Sequence, residues 1–241
     1  MNLNIIRRPF KYQYFHAVYW LIGINVFVFV IMHFLGNTIV GSVDISNLGL
    51  TDRLGRQYTH MPMSISRALA MMPAAVLDGW IWSFFTYMFM HGGISHLFFN
   101  MFGLFIFGFQ MERQMGSKEF LLFYLVTGTL AGIFSFVMYW ATGSLLVALV
   151  GASGALYAVM LAYAIFFPDA IIYIWGILPL RAPVMVFGFT ALSVFFIITG
   201  GGGNVAHLTH LAGFLFGWLY FMVRFGINPW RRLTGRYTRR Y

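Results

Sequence analysis

Apolar residues crowd into six stretches of the chain, and polar residues gather between them. The stretches run over about 17–35, 96–109 and a few residues beyond, 120–142, 153–167, 184–198 and 205–225. A helix needs about 20 mostly apolar residues to cross the hydrocarbon layer of a membrane, so this pattern predicts six spanning helices. Pro168 should end the fourth and Pro183 should begin the fifth, because proline fits the first turn of a helix but not its interior. Residues 37–90 form one long connection. It opens with polar turns and continues into a stretch with Met71, Met72, Trp80, Trp82, Phe84 and Phe85, expected to lie in the interface without crossing it. The first apolar run follows Arg7, Arg8 and Lys11 as a signal peptide would, but it is too long and no cleavage site follows it. It is expected to be an uncleaved anchor. The expected divisions are a cytoplasmic segment at 1–16, a six-helix membrane domain at 17–225 and a basic cytoplasmic tail at 226–241.

Composition narrows the class. Hydrophobic residues make up 60% of the 241 and charged residues 9%, against about 25% charged in an average soluble domain. A soluble core, a disordered chain and a coiled coil are excluded; an all-α polytopic membrane protein remains. There are no cysteines, hence no disulfides and no thiolate metal sites. The net charge of +9 would suit a nucleic-acid binder, but the basic residues sit at the chain ends and between the apolar runs. With the N-terminus inside, only Arg53, Arg56 and Arg67 of the 15 basic residues fall in outer segments. Both termini are therefore expected in the cytoplasm of a cell whose inner membrane holds the chain, with no nucleic-acid partner. Membrane lipids are expected partners, the tail from Arg231 to Arg240 contacting anionic ones.

Polar groups inside a membrane are costly and mark function. Three sets begin the second, fourth and sixth spans: His96 and Asn100; Gly151, Ser153 and Gly154; and His207 with His210 and Gly213. In the expected topology all three lie at the outer ends of helices running inward. His96, Asn100 and Gly103 share one helical face, as do His210, Gly213 and Gly217. The small row Gly154, Ala158, Ala162 permits close helix contact. Packing that row on the Gly213/Gly217 face would set Ser153 beside His210, with Tyr157 one turn below against the imidazole. If Pro168 marks the inner boundary, the fourth span is about 22 Å long at 1.5 Å per residue. Ser153 would then lie roughly 8 Å under the outer surface of a layer about 30 Å thick, where it needs a cavity open to water.

A serine becomes a nucleophile when a neighbouring base takes its proton, and His210 is the candidate base. The Ser153 backbone N–H, the Asn100 amide and His96 are candidate donors to a developing oxyanion. None of the six acidic residues falls at this depth, so the expected unit is a Ser–His dyad without a carboxylate. No metal and no cofactor is expected, since HExxH is absent and no carboxylate accompanies the histidines.

These residues resemble the rhomboid intramembrane serine proteases. The resemblance rests on His91-Gly-Gly-Ile-Ser-His96-Leu-Phe-Phe-Asn100-Met101, on Glu112-Arg113 followed by Gly116-Ser117, on Gly151-Ala-Ser153-Gly154 with Tyr157, and on His210-Leu-Ala-Gly213-Phe-Leu-Phe-Gly217. It implies a rhomboid-like bundle of six transmembrane helices that cleaves transmembrane substrates. It also implies Ser153 as nucleophile, His210 as general base and acid, His96 and Asn100 in the oxyanion hole, and Tyr157 stacked on the histidine. A gate between the second and fifth spans, capped by the outer loop at 199–204, is implied as well. The chain departs from the family where members often carry Trp-Arg before the first histidine: here it reads Trp82-Ser83.

Plainer roles are expected elsewhere: packing for His207, a cap or loop contact for His91, a structural ion pair or helix-end contact for Glu112 and Arg113, and a flexible turn for Gly200 to Gly203. Against the peptidase stand two other classes. A catalytically inactive relative that escorts membrane clients would typically lack the serine or the histidine. A channel or transporter would need polar residues continuing to the inner face.

Overall fold

The computed structural model describes residues 7, 9–51, 55–174, 176–200 and 204–234, with side chains at all of these except 174 and 204–206. Among the described residues, five helices are long and apolar enough to cross a membrane: Ala17–Leu35, Ile94–Met115, Ser117–Ala141, Ala182–Thr199 and His207–Phe225. They match the expected first, second, third, fifth and sixth spans. The expected fourth, Ser153–Phe166, has 14 residues, or about 21 Å at 1.5 Å per residue, which is short of the hydrocarbon thickness. Its shortness is tolerated because protein surrounds it: Ala155, Ala158, Val159, Ala162 and Ala164 are fully buried, and it packs against the third and sixth spans. The first span is its opposite. It buries Ala17, Val18, Leu21 and Asn25 while Trp20, Phe27 and Phe34 are exposed, as suits a helix at the edge of a bundle facing lipid.

The long connection folds as several short elements where a single interfacial stretch was expected. Strand β1 (Ile39–Asp44) pairs antiparallel with β2 (His60–Ser64), and helices Ile65–Leu69, Pro73–Leu77 and Ser83–Thr86 follow. Pro73 at the first turn of its helix breaks the segment. Met71 is drawn into the main core, whereas Ile81, Trp82 and Phe85 remain exposed. Ser83 is buried and donates to the Trp80 carbonyl at 2.7 Å. The loop is anchored by the Trp82 indole N–H to the Ala68 carbonyl (2.9 Å) and the Thr86 hydroxyl to the Leu69 carbonyl (2.7 Å). A second hairpin, β3 (Ile171–Ile174) with β4 (Leu178–Arg181), joins the fourth and fifth spans. Gly176 turns it with φ +71°, a backbone region open to glycine.

At the opposite end from the histidine motifs, two buried carboxylates tie the bundle together. Glu112 accepts hydrogen bonds from the Ala17 and Val18 amides and from the Ser117 hydroxyl. It thereby caps the first span, so the helix-end contact, and not an ion pair with the exposed Arg113, describes it. Glu119 accepts from the Tyr220 hydroxyl at 2.6 Å and from the Arg224 guanidinium through Nε and Nη2, both 2.8 Å, joining the third span to the sixth.

Candidate active site

Ser153 is the first residue of its helix, following Ala152 at the cap. The approach to it is extended and tightly held: Leu149 exchanges both backbone hydrogen bonds with Met71 (2.8 and 3.1 Å), and the Gly151 N–H donates to the Tyr87 carbonyl at 2.9 Å. Gly151 has φ +118°, where a side chain is strained. A Cβ there would also sit 2.7 Å from His96 Nε2 and 3.8 Å from Ser153 Oγ. His96 and Ser153 thus border the same small space, and only glycine leaves it open.

Small residues bring the histidine in. A Cβ on Gly213 would strike the Gly154 carbonyl, and one on Gly217 would lie 3.1 Å from Ala158 Cα. A Cβ on Gly154 would press on Ala131 and Thr209 at 3.1 Å. With these contacts open, the sixth span lies against the fourth, and His210 Nε2 sits 2.9 Å from Ser153 Oγ. The Tyr157 ring stacks on the imidazole at 4.0 Å with 11° between planes, and on its other side meets the Phe189 ring of the fifth span at 6.0 Å. Among the described residues His210 Nδ1 is buried without a hydrogen-bond partner and no carboxylate meets it; stacking and packing orient this ring. His207 stacks on Phe196 at 4.9 Å and meets His210 edge-on at 6.0 Å.

His96 Nδ1 accepts the Gly92 N–H at 3.4 Å, which assigns the ring proton to Nε2, the nitrogen facing Gly151. Asn100, buried, donates one amide hydrogen to the His96 carbonyl at 2.9 Å and keeps the second. Neither side chain hydrogen-bonds Ser153 among the described residues; His96 Nε2 borders the space over Gly151, and Asn100 is tied to the His96 carbonyl one turn on. The N–H groups of the first turn of a helix have no partner within it and carry its positive dipole end, so the backbone at Ser153 adds to this donor set. His91 meets His96 edge-on at 5.2 Å. Burial, and then the nearby His96, push the His91 pKa down to about 4. A groove of about 450 Å³ lies beside His91, lined by Phe29, Met32 and His33 of the first span, by Arg67, and by Met90, Gly92, Ala148 and Val150. Gly201 to Gly203, half of the expected cap at 199–204, lie outside the described residues.

Sequence reasoning missed Tyr87. Its carbonyl holds Gly151, its hydroxyl donates to the Gly128 carbonyl at 2.6 Å, and it is fully buried. A tyrosine in an apolar loop carries no periodic signal. Gly128 and Gly132, one turn apart on the third span, were the available hint: a Cβ on Gly132 would meet the Tyr87 ring at 2.5 Å.

A family model described as the rhomboid domain matches residues 78–227. RHOMBOID-like protein 6, mitochondrial, of Arabidopsis thaliana is 40% identical over 79 residues, which is 33% of this chain and 24% of that protein. Putative rhomboid protease YdcA of Bacillus subtilis is 35% identical over 88 residues, 36% of this chain and 42% of that protein. RHOMBOID-like protein 1 of Arabidopsis thaliana is 27% identical over 239 residues, 92% of this chain and 56% of that protein. The chain thus spans between about a quarter and just over half the length of these relatives.

Proposed function

The chain belongs to the rhomboid family of multi-pass membrane proteins, and on that premise we propose that it is a serine endopeptidase acting on transmembrane proteins through Ser153 and His210. The single observation that carries this reading is the 2.9 Å contact between Ser153 Oγ and His210 Nε2, made between helices 57 residues apart. Nε2 takes the hydroxyl proton as Oγ attacks the scissile carbonyl, and returns it to the leaving amine. The imidazolium formed in between is steadied by the face of Tyr157, since an aromatic face attracts a cation. Developing charge on the carbonyl oxygen is met by the Ser153 N–H, the His96 Nε2–H and the free Asn100 amide hydrogen. Donors fixed in advance in a site with little water are the most effective kind.

Membrane substrates arrive sideways, so two helices must part. The fifth span touches the site through Phe189 against the Tyr157 ring, while Phe195 and Ile198 near its outer end are exposed. It is the helix we assign to the gate, opening against the second span. The six-span arrangement, cytoplasmic termini and an outward-facing site belong to the same proposal. A fluorophosphonate probe tests it. The wild-type protein should be labelled and Ser153→Ala should not; equal labelling of both would remove Ser153 from the reaction.

A further inference from the structure

At the end of the bundle away from Ser153, the segment before the first span and the lower half of the second span enclose a groove of about 330 Å³. Tyr14, His16 and Tyr19 form one wall; Phe109, Gln110 and Arg113 form the other. Its polar lining can donate hydrogen bonds throughout: two phenols, an imidazole, an amide and a guanidinium. The nearest carboxylate, Glu112, is buried and turned to the Ala17 and Val18 amides. It already satisfies the helix start, so the groove does not depend on free N–H groups there.

His16 is the one non-glycine residue with positive φ among the described residues, at +60°. That conformation is costly for a side chain and is held where the surroundings require it. Here it places the imidazole between Tyr14 (4.7 Å) and Tyr19 (5.7 Å), while Tyr19 meets Phe109 edge-on at 4.5 Å. Below the polar mouth, Phe105 and Ile106 continue the groove as an exposed apolar surface along the second span. A cationic, donor-lined mouth at helix-end depth, opening onto a lipid-facing apolar wall, matches a molecule with an anionic head and a hydrocarbon tail.

We propose that this groove binds one anionic phospholipid, its phosphate held by Arg113 and His16 and its acyl chain laid over Phe105 and Ile106. The proposal does not depend on the peptidase reading, and its test uses no activity. The full-length protein would be released from vesicles of phosphatidylcholine with phosphatidylglycerol and weighed by native mass spectrometry. Wild type should retain phosphatidylglycerol. Arg113→Gln should retain about tenfold less, the loss expected of a charge-assisted contact. Arg113 is exposed, so its replacement does not threaten the fold. His16→Gly keeps the backbone conformation while removing the ring, and should also lower retention. Lys118→Gln, which removes an exposed charge at the start of the third span and outside the groove lining, should retain lipid as wild type does. Equal loss in Lys118→Gln would reduce the effect to general surface attraction and overturn the proposal, as would full retention in Arg113→Gln. Inorganic phosphate displacing the lipid at equal concentration would reassign the groove to a soluble anion.

Discussion

The proposed chemistry rests on few atoms, and each makes a separate demand. Gly151 combines φ +118° with a missing Cβ that would meet His96 Nε2 at 2.7 Å. Gly151→Ala should therefore cut turnover about tenfold or more, from strain of about 1–3 kcal/mol placed beside the nucleophile. Cleavage of a model substrate in detergent measures this, and unchanged turnover would mean that His96 and Gly151 do not shape the site. Asn100→Ala should lose about 10²–10³-fold in kcat if its amide is one oxyanion donor, and a loss confined to KM would assign it to binding. His91 offers a test through pH. Burial and His96 lower its pKa from 6.5 to about 4. An unfolded chain takes up that proton as pH falls below about 6.5 while the folded one refuses it, so stability should fall from about pH 6.5 down to about 4. His91→Gln should flatten that part of the stability curve; identical pH slopes in the two proteins would clear His91 of the effect.

Among the elements, the second, fourth and sixth helices could be placed from the sequence because polar and small residues recur on one helical face. His96 with Asn100, and His210 with Gly213, fall at spacings of four and three, and the packing of Gly213 on Gly154 follows from their lack of side chains. Two kinds of feature escaped: contacts whose partners lie far away in sequence, and short hairpins. Glu112 bonds amides 94 and 95 positions earlier, and nothing local distinguishes such a carboxylate from one in an ion pair. The β1–β2 and β3–β4 hairpins are short, and their apolar residues do not alternate cleanly enough to stand out in a chain this hydrophobic. The shortness of Ser153–Phe166 was legible through Pro168, and its contact with the sixth span through the small residues on both; its burial against the third span was not. Glu112→Ala should lower stability by about 2–4 kcal/mol, because two buried N–H groups lose their acceptor at about 1–3 kcal/mol each with partial rehydration. Thermal unfolding in detergent checks this, and a loss under about 0.5 kcal/mol would show the cap to be dispensable.

For the whole molecule, the distribution of charge and of apolar surface predicts sidedness. If the positive ends face the cytoplasm, a reporter after Tyr241 and one inserted within 44–60 should report opposite compartments; the same compartment for both would reverse the proposed topology. The bundle then holds its reactive pair under one membrane surface and its carboxylate ties, with the anionic-lipid groove, at the other. The most direct test of the central claim is cleavage of a model transmembrane substrate by purified protein in defined vesicles, wild type against Ser153→Ala. The wild type should cut within or beside the transmembrane segment, and Ser153→Ala should show no turnover while unfolding at the wild-type temperature. Cleavage by Ser153→Ala at the wild-type rate would contradict the account.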